Sequence, residues 1–388
     1  MIDFENTKIA FQNKSNSDLK QSHFLFNTLA HPAVVKTGKV FLNIALKINF
    51  PLKWIVKPTV YKHFCGGETI AECDPVVRKM ATYGVESILD YSVEGKENPE
   101  DIQAALEETL NTIDNAGQNE NIPFAVFKPT AFASSKVLEK ASGNQALDQQ
   151  EQQELQHFRE RIQTLCRRAF ENDVPILIDA EEVAYQAIID EVVRENMHRY
   201  NHNKAIVYNT LQMYRRDRLD FLRSEVETAK KEGYLFGAKF VRGAYMEKER
   251  HWAAVYGYPD PIQPDKESTD RHYDAALKFS VENIHHVAIF NGTHNQTSSR
   301  YLTELMETHH LAKDDPRCYF SQLYGMSDHI SFNLAHHGYR VAKYLPYGPV
   351  RNVMPYLMRR AEENTAVAGQ TNRELMLIKK ELKRRKSK

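Results

Sequence analysis

Much of what would announce a common protein class is missing from this 388-residue chain. Its four cysteines, at positions 65, 73, 166 and 318, form no CxxC and no zinc spacing, which argues against a disulfide scaffold or a metal site and for free thiols in a reducing compartment. No Gly-x-Gly-x-x-Gly follows the first expected strand, so the dinucleotide fingerprint of a doubly wound sheet is absent. Neither sign of charge dominates: Lys plus Arg and Asp plus Glu each total 51, and nothing pulls the whole chain toward nucleic acid. No Ser/His/Asp or metal-ligand pattern is present, which disfavours hydrolysis and metal chemistry. The start lacks a basic segment followed by an apolar run, so no secretory signal is expected. The most apolar early stretch, Val40–Val56, is interrupted by Lys47, Pro51 and Lys53 and is too broken to span a bilayer. It suits packing on the main domain, or lying on a membrane surface.

What is present is a strand-helix alternation. Residues 1–80 read as a helical arm with a break at Gly66-Gly67. Eight short β-rich runs follow: Glu86–Tyr91, Phe124–Lys128, Pro175–Asp179, Ala205–Tyr208, Ala238–Val241, Val287–Phe290, Tyr319–Gln322 and Val341–Leu345. Between them lie stretches with apolar residues at helical spacing, such as Asp101–Ile113 and Glu181–Met197. The alternation predicts an α/β fold, a (β/α)8 barrel over residues 81–370. The polar stretch Gln145–Gln156 reads as a loop or an exposed helix start. Residues 371–388 read as a basic C-terminal helix or tail, with seven basic residues against one acidic from Lys379 to Lys388. Such a tail suits a solvated helix end, or contact with anionic lipid or RNA.

In a (β/α)8 barrel the active site forms at the C-terminal ends of the strands. Polar residues fall there: Lys128, Asp179 before Glu181 and Glu182, Gln212, Lys239 with Arg242, Thr293-His294, Gln322 and Tyr344. Beyond the last strand stand Arg359 and Arg360, with Glu363 one helical turn after Arg359. Taken singly, each has a structural explanation: a snorkelling lysine, a helix N-cap, a charged helix face. Taken together, Lys128, Arg359 and Arg360 make a cationic set for a small carboxylate, because guanidinium groups match planar anions. Asp179 is placed to tie Lys128, and Glu363 to brace Arg359 or meet a substrate cation. Tyr245, Tyr324 and Tyr344 supply apolar walls. A pocket with an anion site, a cation site and an apolar wall describes an amino acid.

The chain resembles the proline dehydrogenase family. The resemblance is carried by GAKFVRGAYMEKER (237–250), Thr293-His294-Asn295, QLYGM (322–326), PILIDAEE (175–182) and, most of all, YLPYGPVRNVMPYLMRRAEEN (344–364). It implies a distorted (β/α)8 barrel that holds FAD at its strand ends, oxidises L-proline to Δ1-pyrroline-5-carboxylate and passes electrons to a membrane quinone. By that resemblance Arg359, Arg360 and Lys128 hold the proline carboxylate, and Glu363 lies near the amine. Asp179 steadies the lysine, Tyr344 and Tyr245 pack around the ring, and Leu323 faces its apolar side. Gln212, Lys239, Val241, Arg242, Gly243, Ala244, Thr293 and His294 match positions that contact FAD. Many bacterial members have arginine where this chain has Lys239, a point donor without a fork. Tyr344 stands where members favouring hydroxyproline have a smaller residue, so proline is the expected substrate and trans-4-hydroxy-L-proline the alternative. A flavin-less regulatory or RNA-binding relative is the alternative of another class, without an RNP-like aromatic pair to support it. The resemblance further implies a separate dehydrogenase acting on the pyrroline product. The lack of a targeting segment favours a cytoplasmic protein, peripheral on a bacterial inner membrane, over a mitochondrial one.

Overall fold

The computed structural model describes residues 2–31, 33–38, 42, 53–92, 98–366 and 368–387, without the side chains of residues 55, 362–366 and 368–371. Most of the apolar stretch at 40–56 lies outside the described residues. The chain forms two compact units, one of residues 1–94 with 322–388 and one of residues 95–321.

The second unit repeats the strand-helix alternation. α4 (Pro99–Gly117) leads to β2 (Ala125–Phe127), then α5 (Ser135–Ser142), α6 (Gln149–Glu171), β3 (Ile176–Ile178), α7 (Val183–Tyr200) and β4 (Val207–Gln212). After these come α8 (Arg218–Glu232), β5 (Phe236–Val241), α9 (Met246–Tyr256), α10 (Lys266–Glu282), β6 (Val287–Gly292), α11 (Gln296–Thr308) and β7 (Cys318–Leu323). The helices begin where side-chain caps satisfy their first N–H groups. Asn98 accepts from the Asp101 N–H, with Pro99 just inside the helix, and Asp265 accepts from Ser268. Asp148 and Glu151 form a capping box, so the Gln-rich stretch is largely the first turns of α6. Gly233 and Gly257, both left-handed, end α8 and α9.

The strands are apolar on both faces, as parallel strands covered by helices must be, and β2 and β3 are fully buried. β4 departs from its expected bounds by running on to Gln212. Its last four residues, Asn209-Thr210-Leu211-Gln212, are mostly polar and hide the strand pattern, yet they are buried, with their side-chain donors paired. Thr210 Oγ1 donates to Ile178 O at 2.7 Å, and Asn209 Nδ2 to Asp190 at 2.9 Å. Phe124, just before β2, makes edge-on contacts with Tyr208, Phe290 and Tyr319 at centroid distances of 5.7, 5.0 and 4.7 Å. These rings fill the interior near the strands' N-terminal ends, leaving the opposite ends to polar residues.

The first unit pairs β1 (Glu86–Tyr91) with β8 (Val341–Tyr347) over six residues, Glu86 opposite Ala342 and Tyr91 opposite Tyr347. Around them lie α1 (Thr7–Ala10), α2 (Asn16–Leu29), α3 (Ile70–Ala81), α12 (Asp328–His336), α13 (Met354–Ala366) and α14 (Ala368–Lys386). N- and C-terminal segments pack together here: Ala10, Phe11, Leu19 and Phe26 form one apolar cluster with Leu375, Leu377 and Ile378 of α14. The helical arm breaks at Gly66 and Gly67 as expected, between a short helix at Lys62–Phe64 and α3, and both glycines sit at a close approach. The Gly66 N–H donates to Pro346 O at 2.9 Å, and a Cβ on Gly67 would lie 2.4 Å from Cβ of Glu72. Along the sheet the strands are ordered β1-β8-β7-β6-β5-β4-β3-β2, the order of a (β/α)8 barrel. All eight expected strands are found, and every described pairing is parallel.

The aromatic interior yields a stability test. Phe124→Ala empties the point where three rings converge and is expected to cost about 3–5 kcal/mol. A urea midpoint unchanged from wild type would show that these rings do not organise the interior.

Candidate functional site

In the second unit the strand ends bring three charged residues together. Asp179, the residue after β3, is 8% exposed. Its Oδ2 accepts from Lys128 Nζ at 2.7 Å, and its Oδ1 accepts from Lys239 Nζ. Lys128 follows β2 directly, while Lys239 is buried within β5. Burial alone would raise the Asp179 carboxyl, but the two ammonium groups hold it down to about 2. The site therefore contains one anion shared by two cations. Glu181, also buried, accepts from the Thr130 N–H at 2.8 Å and from its hydroxyl at 2.7 Å, locking the turn after Lys128. Gln212 donates its amide to Glu181 O at 2.6 Å, and its Oε1 accepts from the Ala244 N–H at 3.4 Å. This fixes which end of the amide is which.

Beyond β5, Arg242 is held on every side. Its Nε donates to Asp270 at 2.7 Å, Nη1 to Thr293 Oγ1 at 2.6 Å and Nη2 to Ser298 Oγ at 3.0 Å. The guanidinium also lies 4.4 Å from the centre of the Tyr273 ring. Val241 O accepts from the Met213 N–H at 2.8 Å, continuing the strand pairing. Gly243 has φ of +133°, and a Cβ there would lie 1.9 Å from the Tyr214 ring, so only glycine serves at this position. Half-buried His294 lies between Thr293 and Asn295, whose side chain caps the N-terminus of α11. A thirteen-residue helix aimed from a strand end, an arginine, a lysine and an oriented amide form a donor set suited to an anionic, acceptor-rich ligand. Its chemistry fits the pyrophosphate and ring edges of FAD.

In the first unit, Tyr344 is buried on β8, and its carbonyl accepts from the Tyr324 N–H at 2.8 Å. Leu323 ends β7 and is half-buried. Arg359 and Arg360 lie on α13. Arg360 is 8% exposed, with its guanidinium 5.2 Å from the centre of the Tyr356 ring. Val353, Met354, Tyr356 and Leu357 anchor this helix in a cluster with Leu29, Tyr61, Phe64 and Met326. The Tyr61 hydroxyl also donates to Gly348 O at 2.8 Å, between β8 and α13. Glu363 is on the backbone of α13, but its side chain lies outside the described ones. Tyr245, in the second unit, is half-buried at the start of α9. The sequence reading missed Asp270, Ser298 and the part played by Glu181. Glu181 lies in the motif PILIDAEE, whereas Asp270 and Ser298 sit inside helices with no local signal.

The strand order and the helices between the strands are those of a (β/α)8 barrel. The model of the family described as "Proline dehydrogenase" matches residues 73–373, so the chain belongs to the proline dehydrogenase family. It is 36% identical over 322 residues to the carbapenem antibiotics biosynthesis protein CarD of Pectobacterium carotovorum subsp. carotovorum, covering 83% of each chain. It is 30% identical to proline dehydrogenase 1, mitochondrial, of Dictyostelium discoideum, covering 99% of this chain and 75% of that one. In fold it resembles the crystal structure of proline utilization A from Bdellovibrio bacteriovorus inactivated by N-propargylglycine, with a TM-score of 0.71 at 21% identity. That likeness covers 93% of this chain and 36% of the longer protein.

The shared anion gives a pH-dependent prediction. Asp179→Asn leaves two ammonium groups without their counter-ion and is expected to cost about 3–5 kcal/mol at neutral pH. Because the folded-state carboxyl sits near 2 against an ordinary 3.8, its contribution is present above 3.8 and is lost as pH falls through 2. Urea unfolding of variant and wild type should therefore converge in that window. A constant difference down to the acid limit would contradict the pairing.

Proposed function

We propose that the chain oxidises L-proline to Δ1-pyrroline-5-carboxylate, with FAD as hydride acceptor and a quinone as the final oxidant. The observation that carries this reading is the family match over residues 73–373, a span that contains every residue proposed to meet proline or FAD. Bound FAD supplies the redox chemistry, accepting a hydride from C5 of proline. The protein's part is placement and electrostatics. Arg359 and Arg360, neighbours on a helix anchored by its apolar face, take the substrate carboxylate and fix its orientation. For Lys128, steadied by Asp179, the role is a further cation for that anion. Tyr344 and Tyr245 pack on the ring, Leu323 faces its apolar side, and Glu363 lies near the amine. With the amine neutral, its lone pair assists formation of the C=N bond and no strong general base is required. Gln212, Lys239, Val241, Arg242, Gly243, Ala244, Thr293 and His294 hold the flavin. Arg242 and the N-terminus of α11 would supply donors for its anionic groups, and Gln212 and Lys239 donors for its polar ring atoms.

The electron acceptor places the enzyme at a membrane surface. No described helix is long and apolar enough to cross a bilayer. A groove lined by His23, Lys379, Leu382, Lys383 and Lys386 offers a basic face for anionic lipid headgroups. The pyrroline product, once hydrolysed to the semialdehyde, is a substrate for an aldehyde-oxidising dehydrogenase. Tyr344 favours proline over trans-4-hydroxy-L-proline, because a buried ring leaves less room for a C4 hydroxyl.

Purified protein should be yellow, and its flavin absorbance should bleach when proline is added anaerobically. A colourless chain that cannot be reconstituted with FAD would defeat the proposal. Turnover of proline should exceed that of trans-4-hydroxy-L-proline, and the reverse order would reassign the substrate. Arg359→Ala and Arg360→Ala each remove a charge-assisted contact of about 2 kcal/mol, or roughly thirtyfold in proline KM. Bound flavin should be unchanged. Loss of flavin with an unaltered KM would place the arginines elsewhere.

A further inference from the structure

The loop joining β7 to α12, Leu323–Ser327, has a backbone that does not hold its own shape. Gly325 has φ of +80° and Ser327 of +52°, two left-handed residues within three positions. Serine in that region carries strain, and such strain persists where the surroundings enforce it. A Cβ on Gly325 would lie 2.3 Å from the carbonyl of His63, so the loop is pressed directly on the segment Lys62–Phe64.

Three side chains from three different segments grip it. His63 Nε2 donates to Gly325 O at 2.9 Å; burial drives this imidazole down to about 3, so it is neutral. Lys343, buried on β8 beside Tyr344, donates to Met326 O at 2.6 Å and to Leu323 O at 3.4 Å. Glu374 on α14, 3% exposed, accepts from the Ser327 N–H at 2.6 Å. Behind these, Asp328 at the start of α12 binds Lys343 at 2.7 Å and Lys14 at 2.9 Å.

We propose that Glu374 is a positioning residue for the substrate site: by holding the Ser327 N–H it fixes the loop that carries Leu323 and Tyr324. The C-terminal helix thereby sets the apolar wall that meets the substrate ring. This rests on the reading of Leu323 as that wall. Glu374 lies just past the end of the family match at residue 373, fourteen positions after Arg360, and touches the site through this one loop.

The charge state of Glu374 makes the role measurable. Burial, and next the Asp328 charge, raise its carboxyl to about 7 against the opposing pull of the Ser327 N–H, Lys343 and Lys14. His329 lies 3.8 Å away but is held neutral by burial, near 3, so that contact is not an ion pair. Below 7 Glu374 is a neutral acid; above it, a second carboxylate sits beside Asp328. A folded-state value above the ordinary 4.5 means that its share of stability is complete below 4.5 and lost as pH rises through 7. The Ser327 N–H favours the carboxylate, so the grip on the loop changes as Glu374 ionises: that bond strengthens while burial and the Asp328 charge oppose it.

The test uses the flavin-loaded full chain and the variants Glu374→Ala, Glu374→Gln and Leu323→Ala. Readouts are proline KM and kcat from pH 6 to 8, bound flavin per chain and melting temperature. Glu374→Ala is expected to raise KM about fivefold, the loss of one hydrogen bond, with kcat and flavin content within about twofold of wild type. Glu374→Gln, which keeps an acceptor but cannot ionise, should restore KM and abolish its change across pH 7. If Glu374→Ala lowers kcat, flavin content and melting temperature together at constant KM, the residue is merely structural and the proposal fails. If that variant does not fold, the pH profile of Glu374→Gln decides, and a wild-type inflection overturns the proposal. Leu323→Ala separates the two readings. Should it leave KM unchanged, Leu323 is not the wall. Should it change KM while Glu374→Ala does not, only the role of Glu374 is lost.

Discussion

A carboxylate buried between two ammonium groups tolerates no displacement, and the strand ends of the second unit are arranged around one. Removing charges from water costs several kcal/mol per ion, so Asp179, Lys128 and Lys239 are stable only in mutual contact. That contact requires β2, β3 and β5 to hold their pairing. A slip of one residue would turn each side chain to the opposite face of its strand. The register that sets Phe127 against Ile178, and Thr210 against Lys239, is thus enforced by charge as well as by apolar packing. Glu181 and Gln212 extend this constraint to the turns on either side, so the donor groups inherit the rigidity of the strands.

The same device recurs in the first unit with different consequences. Asp328 also lies between two lysines, Lys14 and Lys343, but these sit behind β8 and serve a loop. β8 is the point of division. Its residue Tyr344 belongs to the proposed substrate wall, while its neighbour Lys343 reaches into the charged layer beneath α12. Alternation along a strand places a recognition residue and its support one position apart.

The fold was legible because its signals are local. Apolar runs of strand length and apolar residues at helical spacing lie within a few residues of what they specify. β4 was read too short because three of its last four residues are polar, and their partners on β3 and α7 are invisible to a pattern read along the chain. The proposed site was legible where motif and strand end coincide, as at Asp179, Arg242 and Tyr344. Its supports were not. Asp270, Lys343, Asp328 and Glu374 act through partners as much as three hundred residues away, since Lys14 meets Asp328. Long-range charge pairing leaves no periodicity. Gly66-Gly67 was read as a break in the helical arm, and helix does stop there; the close backbone approach that asks for glycine was not visible in the sequence.

The composition of the first unit bears on how the protein is made. Residues 95–321 are contiguous, whereas the other unit unites residues 1–94 with 322–388. During synthesis, at about 5–20 residues per second, the contiguous unit can fold as soon as it leaves the ribosome. The earlier ninety-four residues must wait. Phe11, Leu19 and Phe26 have no apolar partner on α14, and Lys14 no carboxylate at Asp328, until residues 322–388 emerge. For that interval, about 15–60 s at this rate, the nascent chain carries an exposed apolar surface on these early residues. Arg385, which donates to the carbonyls of Phe11 and Lys14, ties α14 to these early residues.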